Sequence, residues 1–236
     1  MTPPSSRPRA LVIAHRGASG YEVENSLAAF RAAGPSGADA VELDVHGTAD
    51  GTLFVHHDEM LDDTHHIAHC TAKQVASLRL KNGEPISTLA QALDAMGRDM
   101  GVFVEVKSLA PQFDDRLFDA LDHGPNPAGY AVHGFDHRIV RRLAGKRPRL
   151  RCGVLSASYL FRPQVVLEDA AARDLWQERT VVDAALVDAV HQAGGRVLVW
   201  TVDRPDEMRH LLGLGVDGIC TNLPDIGRRV VDSHPG

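Results

Sequence analysis

Residues Val41-Glu42-Leu43-Asp44-Val45 set two carboxylates at alternate positions in an otherwise aliphatic run. In a strand, successive side chains point to opposite faces, so Glu42 and Asp44 share one face and the three aliphatics share the other. Two neighbouring anions repel each other, and a divalent cation with oxygen ligands would hold them there. A polar strand edge turned to water would hold them equally well. Two other places carry comparable chemistry. Glu105-Val106-Lys107 puts a carboxylate and an amine on one face, and His15-Arg16 closes an earlier apolar run. Three carboxylates suit Mg²⁺ or Ca²⁺, whereas a zinc site would draw on histidine or cysteine. Arg16 and Lys107 are of the type that neutralises an anionic substrate, the arginine by a two-pronged grip on phosphate. Taken singly, each has a plainer reading: His15 as a solvated histidine, Arg16 as a surface charge, Glu105 and Lys107 as an inconsequential pair.

Whether these residues meet depends on the elements that carry them. Ala10–Ala14 is a short continuous apolar run with the look of a strand buried on both faces. Ser26 is a suitable N-cap for a helix over 27–33, and the strand at 40–45 follows. Asp50-Gly51 turns the chain into Thr52–His56, which reads as a hairpin extension of that strand. Residues 59–87 break the rhythm, with a short helix expected over 71–80 and a helix capped by Ser87 or Thr88 ending near Met96. From Gly101 the alternation is regular. Strands are expected at 101–106, 130–133, 151–155, 174–176 (weak), 196–201 and 218–221. Between and after them come helices at 114–121, 136–143, 164–172, 182–193 and 205–212, and a last one from Pro224 or Asp225. Strands alternating with helices form a parallel sheet. Eight such units in 236 residues predict a closed (β/α)8 TIM barrel, a single domain over 1–236 with 59–87 as an insertion after the second strand. The active site of such a barrel lies at the C-terminal ends of its strands, where His15, Arg16, Glu42, Asp44, Glu105 and Lys107 would all fall.

Composition narrows the function classes. A hydrophobic fraction of 44% and a charged fraction of 24% are those of an ordinary globular protein. The net charge of −6 argues against a nucleic-acid surface and gives no reason for attraction to anionic lipid, so no stable membrane association is expected. Cys70, Cys152 and Cys220 are odd in number and widely spaced, which suits a reducing cytoplasm and gives no disulfide framework. The Pro-, Ser- and Arg-rich start and the short apolar run before His15 do not make a signal peptide. No GxGxxG or P-loop pattern follows the first strand, which counts against a dinucleotide or P-loop fold.

The order of the motifs resembles the glycerophosphodiester phosphodiesterase family. The resemblance is carried by His15-Arg16-Gly17, Glu24-Asn25-Ser26, Glu42-Leu43-Asp44-Val45, Asp50-Gly51 leading to His57-Asp58, and Glu105-Val106-Lys107. It continues in Phe135-Asp136, Trp200-Thr201-Val202-Asp203 and Gly215-Val216-Asp217-Gly218, from about residue 11 to 228. It implies a TIM barrel that uses a divalent metal, Mg²⁺ or Ca²⁺, to cleave glycerophosphodiesters to sn-glycerol 3-phosphate and an alcohol. It further implies Glu42, Asp44 and Glu105 as metal ligands, His15 and His57 as the acid–base pair, Arg16 and Lys107 as phosphate contacts, and Trp200 as a wall of the substrate pocket. Two imidazoles that titrate near neutral pH suit a reaction needing both a base and an acid. His56 and His57 would face opposite ways in a strand, and the resemblance selects His57. Asp58 is expected to orient backbone.

The chain departs from the family pattern in places. Val23 replaces the usual proline before Glu24-Asn25, and Leu61-Asp62-Asp63-Thr64-His65 loses a cation. Asp203 and Asn222 stand where Asn and Asp are common. The histidines at 65, 66 and 69 fit no metal spacing and read as a solvated loop, although a second metal or the leaving alcohol would also explain them. Two competing functions remain at this stage. A lysophospholipase D acting on lysolipids would want an apolar collar around the site, and the insertion shows no clear apolar stripe. A catalytically inactive phosphoester-binding barrel would have little reason to keep both histidines and all three carboxylates.

Overall fold

A computed structural model gives the conformation of residues 9–234. The polar N-terminal start discussed above falls, up to residue 8, outside the described residues. Eight parallel strands close on themselves: β1 (Leu11–His15), β2 (Ala40–Gly47), β4 (Gly101–Ser108), β5 (Tyr130–Gly134), β6 (Arg151–Ser156), β7 (Asp174–Glu178), β8 (Arg196–Trp200) and β9 (Gly218–Thr221). Closure comes from β1 pairing with both β2 and β9. The ninth strand, β3 (Leu53–Val55), lies outside the barrel and pairs antiparallel with the end of β2 that protrudes beyond the rim. The expected (β/α)8 barrel and its hairpin extension are therefore both present.

Helices α1 (Leu27–Ala33), α3 (Leu89–Met96), α4 (Asp114–His123), α5 (His137–Lys146), α6 (Pro163–Ala170), α7 (Ala184–Gln192), α8 (Pro205–Gly213) and α9 (Pro224–Ser233) connect or follow the strands. Their starts obey local chemistry. Ser26 Oγ accepts the N–H of Ala29 at 3.0 Å, and Thr88 forms a reciprocal capping box with Gln91. The short helix expected over 71–80 is reduced to α2 (Ala72–Ala76). Lys81-Asn82-Gly83 instead makes a turn, with Gly83 at φ 84° and the Leu80 N–H donating to the Glu84 carbonyl. The weak strand at 174–176 proves to be a full member of the barrel, pairing on both sides.

The barrel interior is layered. At the bottom, Arg196 makes a paired hydrogen bond to buried Asp174 (2.8 and 2.9 Å), and Arg151 approaches the same carboxylate at 3.2 Å. Above them an apolar plug of Ile13, Ala40, Phe103, Ala131, Leu155, Trp176, Leu198 and Cys220 fills the axis. A larger apolar layer lies between the strands and the helices. The plug closes the barrel from below, so the polar cup above it opens only at the C-terminal end of the strands.

Leu198 is fully buried in this plug. Leu198→Ala is expected to destabilise the protein by about 2–5 kcal/mol in urea unfolding, because the strands cannot collapse into the void. Phe161→Ser, at a side chain 92% exposed, should change stability by less than about 0.5 kcal/mol.

Candidate active site

Strand register sets the polar cup. His15 stands opposite Glu42, Asp44 opposite Glu105, and Glu105 opposite His133. Inward-facing residues of β1, β2, β4 and β5 thus meet just above the plug. The cup is a small cavity of about 90 Å³ lined by His15, Arg16, Glu42, Glu105, His133 and Trp200, among others.

Glu42, Asp44 and Glu105 are all buried at this level. Glu42 Oε2 accepts the backbone N–H of Arg16 at 3.2 Å. Burial, together with the charges of Asp44 and Glu105, pushes its carboxyl well above the usual range. Glu105 is pushed up to about 7 by burial and by Asp44. Asp44 behaves in the opposite way. Burial alone would raise it, but Lys107 and Arg16 hold it below its ordinary value. Lys107 Nζ lies 3.2 Å from Asp44 Oδ1 and 2.7 Å from Glu105 Oε1, and Arg16 Nε lies 3.2 Å from Asp44 Oδ2. Asn25 Nδ2 donates to Asp44 Oδ2 at 2.9 Å. Arg16 and Asn25 both adopt left-handed backbone, with φ of 55° and 56°, a conformation rare for residues with a Cβ. That strain turns both residues onto Asp44. Gly17 follows at φ 83°, and a Cβ there would stand 2.6 Å from the Ala29 carbonyl carbon, so the turn after β1 demands glycine.

Glu42, Glu105 and His133 offer ligand atoms within 4.8 Å of one another, close enough to share one ion. His133 was not singled out in the sequence. It is buried, stacks on Trp176 at 4.2 Å, and its Nε2 lies 3.9 Å from Glu42 Oε1. Burial drops its pKa to about 3, so the ring is neutral and its Nδ1 has no partner. Its signal was present in the sequence, since it is in phase with the inward-facing Ala131 two residues earlier. Asp44 is turned to Asn25, Arg16 and Lys107. Two carboxylates beside an unpartnered neutral imidazole, with one more carboxylate than there are cations, fit a divalent ion bound chiefly by oxygen.

The histidines lie on either side. His15 Nδ1 hydrogen-bonds Asn222 Oδ1 at 2.8 Å, and burial together with the Arg16 charge lowers its pKa. His57 reaches the mouth because β3 runs back along β2, and the His56 N–H donates to the Asp44 carbonyl at 3.1 Å. β3 ends at Val55, which corrects the argument from strand alternation. His56 and His57 both follow the strand, and both line a cleft of about 460 Å³ beside the cup, with Glu22, Glu24, Met60, Arg79 and Lys81. His57 Nδ1 bonds Asp58 Oδ1 at 2.7 Å, so Asp58 contacts the imidazole as well as shaping backbone through its carbonyl bond to His56. A further histidine went unnoticed in the sequence. Buried His46 uses Nε2 to donate to the His57 carbonyl at 3.1 Å and Nδ1 to accept from Ser108 Oγ at 2.9 Å.

Trp200 lines the cup and meets Phe135 edge-on at 5.6 Å, and Lys107 Nζ lies 5.9 Å over the Phe135 ring. His65 bonds Asp62, while His66 stacks on His69 at 4.6 Å. None of the three belongs to a cluster of three or more metal-ligand side chains among the described residues.

Comparison with known proteins places this geometry. The sequence profile of the glycerophosphoryl diester phosphodiesterase family matches residues 15–226. Over 232 residues the chain is 32% identical to a glycerophosphodiester phosphodiesterase of Caldanaerobacter subterraneus subsp. tengcongensis, covering 92% of this chain and 96% of that protein. The crystal structure of a glycerophosphodiester phosphodiesterase from Parabacteroides distasonis is similar with a TM-score of 0.86 at 26% identity, covering 95% of this chain and 98% of that one. An Oleispira antarctica phosphodiesterase, solved in complex with sn-glycerol-3-phosphate, is similar with a TM-score of 0.87 at 24% identity, covering 94% and 97%. Among the described residues no helix is long and apolar enough to cross a membrane.

The ion pairs around Asp44 lead to a stability prediction. Lys107→Met leaves Asp44, whose side chain is 1% exposed, short of one of its two cations. In EDTA the variant should lose about 3–5 kcal/mol of stability, and adding Asp44→Asn should recover part of that loss. Urea unfolding of the three proteins measures it.

Proposed function

The chain belongs to the glycerophosphoryl diester phosphodiesterase family, and on that premise we propose that it hydrolyses glycerophosphodiesters to sn-glycerol 3-phosphate and an alcohol with the help of a bound Mg²⁺ or Ca²⁺. The observation that carries the metal is the buried excess of carboxylates over cations in the cup. Glu42, Glu105 and His133 would hold the ion, and Asp44, now turned to Arg16, Lys107 and Asn25, would be the further carboxylate at that level. When bound, such an ion supplies positive charge to the phosphoryl oxygens.

The chain's own residues divide the rest of the work. His15, kept neutral by burial and by Arg16, takes a proton from the attacking water as the water oxygen bonds to phosphorus. His57, with Asp58 on its Nδ1, gives a proton to the alcohol oxygen as the bond between that oxygen and phosphorus breaks. Arg16 and Lys107 meet the phosphate. Trp200 and Phe135 wall the cup, and the cleft lined by His56, His57 and the insertion receives the alcohol. Three free cysteines support a reducing, cytoplasmic setting.

One observation favours a second reading, that the substrates include lysolipids. Among the described residues, the large apolar side chains that stay exposed are Tyr21, Met60, Phe135, Phe161 and Val165. Each follows a strand at the mouth or sits in the first turn of the helix beyond it. An apolar collar would thus be supplied mostly by loops outside the insertion, with Met60 contributed by the insertion itself.

Release of glycerol 3-phosphate from glycerophosphocholine is expected with Mg²⁺ or Ca²⁺ and lost in EDTA. No turnover of any glycerophosphodiester by the metal-loaded protein would contradict the proposal. Lysophosphatidylcholine assayed alongside, below its micellar concentration, decides the second reading: turnover that Phe161→Ser and Phe135→Ser both weaken supports it, and no turnover removes it. His15→Ala and His57→Ala should each abolish turnover while calorimetry still shows metal binding, whereas Glu42→Ala should lose the metal. If His57→Ala kept near-native turnover, His56 would replace it in the mechanism. Saturating metal should also raise the melting temperature, by the equivalent of about 2.7 kcal/mol at 100 times Kd. Glu42→Ala should show no such rise.

A further inference from the structure

Behind His15 stands a second layer of hydrogen bonds. Asp203 follows β8 and Asn222 follows β9, so the parallel pairing of these neighbouring strands sets them side by side. Asp203 Oδ1 accepts the Asn222 N–H at 2.8 Å and the Thr221 Oγ1–H at 2.9 Å, and Asp203 Oδ2 accepts from Asn222 Nδ2 at 2.7 Å. Three donors therefore converge on one carboxylate. An ionised carboxylate only accepts, and the NH₂ of an amide only donates. With its nitrogen on Asp203, the Asn222 side chain must turn its oxygen the other way. That oxygen lies 2.8 Å from His15 Nδ1 and 2.8 Å from Ser19 Oγ. Rotating the amide would press two acceptors together at 2.7 Å and leave a buried network unsatisfied. The amide orientation is thus imposed by Asp203. An amide oxygen only accepts, so His15 Nδ1 carries the ring proton and Nε2 is bare.

We propose that Asp203, acting through the Asn222 amide, is a positioning residue that locks His15 in the tautomer protonated at Nδ1 and so keeps the Nε2 lone pair available. The consequence for turnover rests on the reading of His15 as the base, whereas the lock itself is a property of the resting protein. Neither Asp203 nor Asn222 touches the reacting atoms. They act on the fraction of molecules whose imidazole is ready to take a proton.

The test uses protein labelled with ¹⁵N at histidine, with the His15 signals assigned by difference from His15→Gln. Long-range ¹H–¹⁵N correlation at neutral pH should show His15 with a protonated Nδ1 and a bare Nε2. Asp203→Asn is nearly isosteric, but its oxygen stays on the Asn222 and Thr221 donors and its NH₂ then faces the Asn222 side chain, which favours the rotated amide. Its spectrum should show a gain of the tautomer protonated at Nε2. Its kcat should fall about 10- to 100-fold with KM unchanged within about twofold, since a base in the wrong tautomer is lost to the reaction. The double variant Asp203→Asn/Asn222→Asp exchanges carboxylate and amide. Its new carboxylate at 222 accepts from both His15 and the amide at 203, so it should restore the Nδ1-protonated tautomer and recover kcat to within about fivefold of the native protein. A role confined to holding the loops together would give no such recovery, and its losses would track melting temperature. His15 found protonated at Nε2 in the native protein would overturn the proposal, as would an unchanged kcat in Asp203→Asn. Should the native protein turn over no glycerophosphodiester, the spectra still decide the lock, and that failure counts against the function alone.

Discussion

Like charge confined above an apolar plug is the constraint on which the rest of this molecule depends. Glu42, Asp44 and Glu105 are brought to one level by parallel register and are shut off from water below by Phe103, Trp176 and Leu198. Two cations answer three carboxylates, and both of them lean on Asp44. At an effective dielectric of about 20, charges 4 Å apart interact by about 4 kcal/mol, so this imbalance outweighs any single surface ion pair. It explains why the turn after β1 tolerates left-handed Arg16 and Asn25. Those conformations cost about 1–3 kcal/mol each, and they deliver a guanidinium and an amide to the most buried of the three cup carboxylates.

The second constraint is topological. A parallel barrel brings its strand ends together but reaches no further than its rim. β2 overshoots that rim, and β3 returns along it, which carries the segment after Val55 back to the level of Asp44. His57 owes its place to this return, and His46 and Ser108 fix its backbone from behind. The proposed acid–base pair, His15 and His57, thus comes from a barrel strand on one side and a hairpin on the other. The insertion beyond the hairpin lines the cleft that also holds His56 and His57.

Much of this was legible in the sequence, and for a definite reason. Alternating apolar runs, capping residues and the Asp50-Gly51 turn are local signals, and they located the strands and most helices. Glu42, Asp44, Glu105 and Lys107 declared themselves because charge interrupts an inward-facing aliphatic pattern. What the sequence hid was pairing across the barrel. His133 looks like any strand-end histidine until β5 is set beside β4 and the ring stacks on Trp176. His46 reads as strand filler until its nitrogens find Ser108 and the His57 carbonyl. Asp203 and Asn222 stand out only as two separate near-isosteric departures, whereas in space they are one hydrogen-bonded pair. The strand end at Val55 lay within the ordinary uncertainty of element boundaries, yet it decided whether His56 and His57 could share a cleft.

The central proposal is that the excess of buried carboxylates holds a cation in the cup. Anomalous diffraction from a crystal soaked in Mn²⁺, an oxygen-preferring stand-in for Mg²⁺ and Ca²⁺, tests it most directly. A single strong peak is expected within coordinating distance of Glu42 and Glu105, lost in Glu42→Ala. A cup without a peak in a crystal that binds Mn²⁺ elsewhere, at the aspartates of the insertion for example, would contradict it.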